Sequence, residues 1–463
     1  MLNYLRQNTQ FYLLVLLYVV VGVYLGPFLF ILMPLSVFFL KSRHLWADMI
    51  FGLIIVLVLS DITPWFFSMQ VFKGAKNTYI TALAIIFLLE RYRFVPFSQV
   101  FNIFLPFFVY SFFPLIFSGT ILVGLQKTIS YALLYLIIPN YVLYNFRLQG
   151  WDFFKNLVLF MTVILIAGLS INYYGDFYAY MIGRFRGVFG NPNGMAIFCL
   201  LLIMLAGTVS AIKKDLFSWK EKLFVHGTAL YFLLASGSRS SLIAVFVFVI
   251  FSRFFTASPA LGFIMLLAMF GVSEIVLSNI EPIVHALGIE SYVRLKTLKS
   301  GSGRYFAWSF AWAQIQEFLI FGGGFANDER IMRKHRLYLE RMGHQGGVHN
   351  SYLSFWFDVG IVGLLLFFRS FVLTFIKASK LIPMSLGVMF AVLFSITYES
   401  WLVSSLNPYT IILVIILTVV SEEEIVNWQE YAALEEDPDD PDLAIEEGTA
   451  DPGSVQLALA PRP

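Results

Sequence analysis

Residues 194–212 read GMAIFCLLLIMLAGTVSAI, an uncharged stretch of 19 residues. As an α-helix this stretch is about 29 Å long, which matches a bilayer hydrocarbon core about 30 Å thick. Similar stretches recur from residue 11 to residue 420, and 59% of the 463 residues are hydrophobic while 13% are charged. A water-soluble domain has no core large enough for so many apolar side chains. The apolar runs also lack the alternation of a membrane β-barrel strand. The sequence therefore predicts an all-α, polytopic helical membrane protein.

The apolar runs set the expected number of membrane crossings at about 12–14 transmembrane helices. Gly26-Pro27 divides the first long run into two short helices, because proline interrupts helical hydrogen bonding. The runs are residues 11–25, 27–40, 49–66, 78–90, 97–117, 127–145, 157–171, 194–212, 222–236, 240–255, 260–278, 351–376, 384–402 and 408–420.

Basic residues are distributed unequally between the loops on the two sides of the membrane. Short cytoplasmic loops are enriched in Lys and Arg, so the richer side is assigned to the cytoplasm together with both termini. The short loops on the other side hold only Lys73, Lys76, Arg184, Arg186 and Arg239. The cytoplasmic loops hold Lys41, Arg43, Arg91, Arg93, Arg147, Lys155, Lys213, Lys214, Lys220, Lys222, Arg253, Lys377 and Lys380.

These patterns divide the chain into four parts. N-terminal transmembrane helices occupy 1–278, a long outer loop 279–350, and C-terminal transmembrane helices 351–421. An acidic tail follows over 422–463, where Pro, Asp and Glu without an apolar period predict disorder. A loop as long as the outer one usually has a function.

Within the outer loop, the sequence predicts a helix from about residue 304 to 318. Trp308 and Trp312 are four residues apart and would share one face, as in a helix lying at the membrane surface.

Arginines in glycine- and serine-rich settings stand out on the outer side. Arg186 lies in GRFRGVFGNPNG beside Arg184, Arg239 in SGSRSS and Arg304 in GSGRYF. Arginine binds phosphate through two parallel hydrogen bonds, and a flexible backbone can approach such a ligand closely. These residues therefore indicate a phosphate or diphosphate headgroup, with Arg186 and Asn193 contacting the substrate. The alternatives are a snorkelling anchor for Arg239 and a turn before a helix for the Arg186 segment, whereas for Arg184 the sequence favours a structural role.

A histidine opens the stretch GGVHNSYLSFWFDVGIVG at 346–363. If residues 349–363 are helical, His349 shares one face with Tyr352, Trp356, Gly360 and Gly363, and that face packs into the bundle. Imidazole titrates near neutrality, so we expect His349 to handle a proton. The alternative is a core histidine with a structural hydrogen bond.

Metal and redox chemistry have little support in the sequence. The single cysteine, Cys199, lies within an apolar run, which excludes an intramolecular disulfide and a cysteine-based cluster. Asp-x-Asp-like spacing occurs only in the tail, at Asp437 to Asp442, on the cytoplasmic side. We therefore expect no metal, no other cofactor and no nucleic-acid partner.

At these motifs the sequence resembles the O-antigen ligase and polymerase superfamily. The resemblance covers GVFGNPNGMA, SGSRSSL, SGSGRYFAW with FGGGF downstream, and HNSYLSFWFDVGIVG. His349, Asn350, Gly360 and Gly363 match the ligase pattern of His, then Asn, Ser or Gln, nine residues, Gly, two residues, Gly. The motifs lie between residues 186 and 363, and the first half of the chain matches only as apolar helices.

The resemblance implies a glycan donor on undecaprenyl diphosphate in the outer leaflet of a bacterial inner membrane, with the active site facing the periplasm. Arg239 and Arg304 resemble the arginines assigned to the diphosphate, and His349 resembles the essential histidine. Asn350 and Tyr352 are then expected to contact the substrate. Ligases use lipid A–core oligosaccharide as the acceptor, and the expected reaction is a metal-independent transfer that inverts the anomeric configuration.

Three other activities remain open at the level of the sequence. A polymerase would extend a lipid-linked glycan, and a protein O-oligosaccharyltransferase would transfer it to protein. A lipid-linked glycan transporter would place charged residues near the membrane midplane. The runs 194–212, 240–252 and 260–273 carry no charge, which disfavours transport.

Overall fold

The structure, a computed structural model, describes residues 2–62, 64, 66–258, 260–265, 267–268, 280–288, 304–344 and 346–429. Its first part consists of consecutive helices joined by short turns. A 3₁₀ turn over Gly26–Phe28 separates the second helix from the third, which confirms the expected break at Gly26-Pro27. The helices are α1 (Leu2–Gln7), α2 (Thr9–Tyr24), α3 (Leu29–Ser42), α4 (Trp46–Asp61), α5 (Phe72–Leu89), α6 (Val100–Tyr110), α7 (Ile121–Gln149), α8 (Trp151–Ala167) and α9 (Asp176–Ala179).

The second part begins with a two-stranded antiparallel hairpin, β1 (Tyr180–Met181) with β2 (Arg184–Phe185). The helices that follow are α10 (Pro192–Ile212), α11 (Trp219–Ser236), α12 (Arg239–Ala257), α13 (Ile280–Leu287), α14 (Arg304–Ile315), α15 (Asn327–Lys334), α16 (Arg336–Arg341), α17 (Ser351–Leu381), α18 (Ser385–Tyr398), α19 (Pro408–Ser421) and α20 (Glu423–Val426).

The described residues confirm an all-α polytopic membrane protein. Seven helical segments are long and apolar enough to cross a membrane, and four shorter apolar helices accompany them. The expected runs 49–66 and 222–236 lie in α4 and α11, which are outside both groups. The expected run 260–278 lies mostly outside the described residues. The described segments therefore support many crossings, and the number of 12–14 stays a prediction.

Local signals explain where several helices begin and end. The Asn191 side chain accepts a hydrogen bond from Gly194 N and caps α10, and Asn407 caps α19 in the same way. Ser218 and Glu221 form a capping box at the start of α11. Gly237 ends α11 in the left-handed conformation that favours glycine. Side-chain capping and glycine therefore determine where α10 begins and where α11 begins and ends.

Helix α10 forms the centre of the bundle. In the apolar part of α10, 78% of the residues are buried inside the protein. In the apolar segment Val100–Phe117 the buried share is only 39%. The charge-free stretch that predicts the fold is therefore mainly in contact with other helices. Its first turn lies next to the outer loops, so α10 holds that turn firmly in place.

The long outer loop has a small core of its own. Helix α14 ends at Ile315 and continues as a 3₁₀ turn over Gln316–Phe318, which confirms the expected helix at 304–318. Ala307, Ala311 and Ile315 are buried together with residues of α15, α16 and the start of α17. Trp312 remains half exposed, with its ring centroid 5.1 Å from that of Trp356. The loop is therefore packed onto α17.

Helix α17 is not the continuous helix that the sequence predicts over 349–363. It starts at Ser351, with Asn350 as its cap, and His349 precedes it with φ 51°. Gly360, at φ 64° and ψ −178°, then breaks the helix. The expectation that His349, Tyr352, Trp356, Gly360 and Gly363 share one helical face is therefore wrong. The physical reason is glycine, which allows a left-handed backbone that the apolar pattern does not reveal.

The segment Leu319–Gly324 fills the break in α17. Ile361 N donates to Leu319 O at 3.0 Å, and Gly323 N donates to Phe357 O at 2.9 Å. A Cβ on Gly360 would lie 2.2 Å from Ile320 O, and a Cβ on Gly322 would lie 2.4 Å from Asp358 O. The FGGGF motif therefore supplies backbone hydrogen bonds that a broken membrane helix otherwise lacks.

The chain stays ordered beyond residue 421, where the sequence predicts the start of the tail. Glu424 forms an ion pair with Arg147 at 2.7 Å, and Glu422 accepts hydrogen bonds from Ser98 Oγ and Gln99 N. Lys213 Nζ lies 3.9 Å from the ring centroid of Trp428. Residues 422–428 therefore contact the helices, and the predicted disorder of 430–463 lies outside the described residues.

Candidate active site

A buried carboxylate, Glu399, joins several of the predicted site residues. One oxygen, Oε1, accepts hydrogen bonds from Arg304 Nη2 at 2.6 Å and from Asn193 Nδ2 at 2.7 Å. The other oxygen, Oε2, lies 3.2 Å from His349 Nδ1. Three parts of the chain, separated by up to 206 residues, therefore meet at one side chain. We call Asn193, Arg304, His349 and Glu399 the Glu399 cluster.

Glu399 is held ionised by its neighbours. Burial by itself raises the pKa of this carboxyl group, but His349, Arg304 and Asn193 outweigh that effect. The net result is a pKa below the ordinary value of 4.5. Its side chain is 10% exposed, so little water competes for the carboxylate. A charge buried in this way is stable only because it has charged and hydrogen-bonding partners.

The contact with Glu399 orients the imidazole of His349. A carboxylate accepts from Nδ1–H, and that tautomer leaves Nε2 with a lone pair. The side chain of His349 is 31% exposed, so Nε2 is accessible to a ligand. Gly346, at φ 122°, lies beside it, and a Cβ there would be 3.0 Å from Nε2. The glycine therefore keeps space open at the atom that can accept a proton.

A second histidine, His344, lies on the other side of the same loop. Its ring centroid is 5.7 Å from that of His349, and its Nε2 is 2.9 Å from Gly347 O. Burial lowers the pKa of His344, and the positive charges of His349 and Arg304 act in the same direction. A neutral His344 fixes the loop without adding positive charge next to His349.

Arg304 is the first residue of α14, where the outer loop meets the membrane-spanning helices. Its guanidinium carbon is 6.0 Å from the ring centroid of Tyr398, the residue before Glu399. Only Nη2 contacts Glu399 in the described part of the chain. A guanidinium has five N–H donors, so Arg304 can bind Glu399 and an anionic ligand together.

Arg184 reaches the cluster through Asn193. Its Nη2 donates to Asn193 Oδ1 at 2.5 Å, and its Nε donates to Ser236 O at 2.6 Å. The amide of Asn193 therefore accepts from an arginine and donates to a carboxylate, which fixes its orientation. The sequence favoured a structural role for Arg184, and the structure connects this residue to the Glu399 cluster.

A buried aspartate supports the turn that carries Asn193. Asp61 Oδ2 accepts hydrogen bonds from Gly190 N at 2.9 Å and from Tyr409 Oη at 2.9 Å. Gly190 lies three residues before Asn193, so Asp61 anchors the GNPNG turn to α4 and α19.

Arg186 and Asn350, two of the predicted substrate-binding residues, make no described contact with the Glu399 cluster. Arg186 is fully buried, and its guanidinium donates to Tyr178 O at 2.9 Å and Phe177 O at 2.5 Å. Burial lowers the pKa of Arg186 to about 10. Asn350 caps α17 by accepting from Leu353 N at 3.0 Å. These contacts give both residues a structural role.

Tyr352 and Arg239 have different surroundings. The hydroxyl of Tyr352 donates to Leu393 O at 3.1 Å, and its ring stacks on Phe368, so this side chain packs into the bundle as expected. Arg239 is half-buried at the first residue of α12, three residues after Ser236, whose carbonyl binds Arg184. Arg239 therefore lies close in sequence to the network.

Sequence reasoning missed Glu399, the residue that organises the site. The signal was present, because Glu399 is the only acidic residue between Asp358 and Glu422, at the end of the apolar helix α18. A lone carboxyl group at a membrane boundary usually has a partner or a function. A single glutamate lacks the Asp-x-Asp spacing that indicates a metal site, so that pattern did not reveal Glu399.

The cluster contains an imidazole that can accept a proton, His349, and a carboxylate that orients it, Glu399. Arg304 can in addition bind an anionic ligand. Among the residues that the structure describes, no group of three or more His, Cys, Asp or Glu side chains is arranged to hold a metal ion. The chemistry available from the side chains themselves is proton transfer at His349 and stabilisation of negative charge by arginine.

Comparison with known families agrees with the sequence motifs. Residues 224–368 match the family model described as O-antigen ligase. The matched region runs from α11 into α17 and includes Arg239, Arg304 and His349, whereas Asn193 and Glu399 lie outside it. The match confirms the resemblance to the O-antigen ligase superfamily. No curated protein matches the chain.

Proposed function

We propose that this chain, whose residues 224–368 match the O-antigen ligase family, moves a glycan from undecaprenyl diphosphate to lipid A–core oligosaccharide. A glycosyltransferase of the O-antigen ligase or polymerase type follows from the family. The finer assignment rests on one observation, the contact of Glu399 with both His349 and Arg304. That contact puts a proton acceptor beside an arginine suited to diphosphate.

His349 is the general base in this proposal. The acceptor hydroxyl gives its proton to Nε2 while its oxygen attacks the anomeric carbon of the donor glycan. Glu399 stabilises the imidazolium that forms, because its carboxylate is 3.2 Å from Nδ1. A positioned base of this kind contributes about 10²–10⁴-fold to the rate.

The arginines act on the leaving group. As the bond between the anomeric carbon and the diphosphate oxygen breaks, its electron pair moves onto the diphosphate. Arg304 meets this charge with the N–H groups that Glu399 does not use, and Arg184 and Arg239 contribute positive charge nearby. Attack on the face opposite the diphosphate inverts the anomeric configuration. The diphosphate is already a good leaving group, so no nucleotide is consumed.

Polymerase activity and transfer to protein are the alternatives, since both use the same donor and differ only in the acceptor. Transport has less support. The cluster that we assign to the reaction lies at the ends of α10, α14 and α18, whereas transporters commonly bind substrate near the middle of the membrane.

Purified protein incubated with undecaprenyl-diphosphate glycan tests the proposal. Lipid A–core, glycan repeat units and peptide are offered separately, and products are followed by mass. We expect transfer to lipid A–core, with activity preserved in EDTA. Transfer only to repeat units or to peptide would select the corresponding alternative. Activity that is lost in EDTA and restored by magnesium or manganese would contradict metal independence.

Variants separate the roles of the two key side chains. His349→Ala should lower transfer by about 10²–10⁴-fold and leave donor binding largely intact. Arg304→Ala should weaken donor binding and transfer together, and Arg304→Lys should rescue poorly because lysine cannot bind bidentately. Arg336→Ala, at a side chain of α16 that is 74% exposed, is the matched control. Near wild-type transfer by His349→Ala would exclude His349 as the base.

A further inference from the structure

A cavity of about 240 Å³ is lined in part by residues that neighbour the Glu399 cluster in the chain. Gly347 and Ser400 contribute to its wall. Gly347 is two residues from His349, Ser400 directly follows Glu399, and one residue advances the chain by at most about 3.6 Å. The same two chain segments therefore form the catalytic pair and the cavity wall, so a ligand in the cavity lies close to the imidazole.

The charge of the cavity differs from that of the arginine side of the site. Three carboxyl groups line it, those of Asp328, Glu329 and Asp358, against one amine, Lys127. Lys127 Nζ and Glu329 Oε1 form an ion pair at 2.6 Å, which cancels one of these negative charges. Asp328 N donates to Asp358 Oδ1 at 3.0 Å, and burial raises the pKa of Asp328 to about 6, so this pair of aspartates supplies the remaining negative charge near pH 7. Net negative charge in the lining would repel a diphosphate, whereas Arg304 and Arg184 contact Glu399 and Asn193 and are absent from the cavity wall. The site is thus divided into a cationic region and an anionic region.

The lining is suited to sugar hydroxyl groups. Each hydroxyl both donates and accepts a hydrogen bond. Carboxylates accept such bonds and the Lys127 ammonium donates them, and bonds to charged groups are stronger than neutral ones. Ser400 and Ser404 add two hydroxyls to the wall. The volume is below the roughly 300–1,000 Å³ of pockets for drug-sized ligands, so it fits about one monosaccharide unit.

We propose that this cavity binds the acceptor, and that it selects a reacting sugar unit without an anionic substituent. This inference rests on the proposed function and adds the chemical class of the acceptor's reacting unit. The donor diphosphate occupies the arginine side, and the acceptor sugar occupies the carboxylate side with a hydroxyl near His349 Nε2. The partition of charge around Glu399 keeps the two substrates in the correct orientation.

Binding and transfer together test the cavity. Methyl hexopyranosides and their 6-phosphates are the probes, measured by saturation-transfer NMR and as competitors of the transfer reaction. The neutral glycosides should bind and compete, and the 6-phosphates should do so at least about tenfold more weakly, which corresponds to about 1.4 kcal/mol. Equal binding of both sets, or binding of neither, would overturn the proposal.

Two variants probe the lining itself. Ser404→Tyr fills the cavity and should abolish glycoside binding while donor binding is retained. Glu329→Gln removes one charge at a side chain that is 55% exposed, so the fold is kept and the discrimination against 6-phosphates should decrease. Glu317→Gln, exposed on the same outer segment and absent from the cavity wall, is the matched control.

The outcomes distinguish this inference from the proposed function. If no acceptor receives glycan but neutral glycosides bind and Ser404→Tyr removes the binding, the cavity is a sugar site and the proposed function is wrong. If transfer occurs but Ser404→Tyr and Glu329→Gln behave as wild type, the acceptor binds elsewhere.

Discussion

At the scale of the residue, Glu399 has a position that only its partners make stable. It is buried and charged, and it is stable there because Arg304, Asn193 and His349 surround it. Removing one partner from such a group leaves an uncompensated charge and is strongly destabilising. The cluster that we propose as the catalytic site is therefore also a link between α10, α14, α17 and α18. Mutations in it must be interpreted with separate measurements of folding and of transfer.

The pH dependence of stability should depend on Glu399. Its pKa is lowered in the folded protein, so its contribution to stability is present above the ordinary value of 4.5 and is lost as the pH falls below it. Glu399→Gln should therefore lower the unfolding temperature at pH 7, and the difference from wild type should shrink below pH 4.5. Thermal unfolding in detergent at several pH values measures this. A constant difference at all pH values would contradict the role of the charge.

At the scale of the element, the broken helix α17 determines the shape of the site. The break at Gly360 admits the segment Leu319–Gly324, and this segment continues into α15, which carries Asp328 and Glu329 of the cavity wall. Asp358, just before the break, accepts hydrogen bonds from Ala326 N and Asp328 N. The outer loop is therefore attached to α17 at the break, at a fixed distance from His349.

Substitution of Gly360 should disrupt this attachment. An alanine there would have an unfavourable φ of 64°, and its Cβ would lie 2.2 Å from Ile320 O. We expect Gly360→Ala to destabilise the protein by about 3 kcal/mol or more and to abolish transfer. Thermal unfolding and the transfer assay measure both effects.

Gly227 provides the control for that experiment. It lies inside α11, and no atom would be within 4 Å of an added Cβ. Gly227→Ala should be neutral or stabilising by roughly 0.5–1 kcal/mol, because alanine loses less entropy in a helix. If Gly360→Ala were equally harmless, the break in α17 would not be required.

At the scale of the whole molecule, α10 connects two chemically different ends. Asn193 in its first turn contacts Glu399, and Lys213, just after its last residue, contacts Trp428. A helix of this length extends about 30 Å, the thickness of a bilayer core. The end near Lys213 also holds the ion pair of Arg147 with Glu424. Basic residues favour the cytoplasmic side, so this end is expected in the cytoplasm.

Reporter fusions test this orientation. A reporter placed after Lys214 should be on the cytoplasmic side, and one placed after Asn327 should be on the outer side. The first position follows α10 at the end near Trp428, and the second begins α15 in the outer loop. Fusions that report the same side for both positions would contradict the assigned topology and with it the outer location of the Glu399 cluster.

The sequence by itself determined the membrane fold. An apolar run as long as 194–212 can cross a bilayer only as a helix, because only then are all its backbone N–H and C=O groups hydrogen-bonded within the run. It also indicated Arg304 and His349 as candidate site residues, since an arginine in a glycine- and serine-rich setting suits phosphate and imidazole titrates near neutrality. These are local properties, and they require no knowledge of which helices are neighbours.

Only the tertiary structure decided which of these residues are in contact. Asn193, Arg304, His349 and Glu399 are spread over more than 200 residues of chain, and their contacts depend on how helices pack. The break at Gly360 also escaped the sequence, because an apolar helical pattern continues through a glycine whether its φ is negative or positive. The same packing decided that Arg186 holds a loop from within the protein, whereas Arg184, two residues earlier, reaches the site.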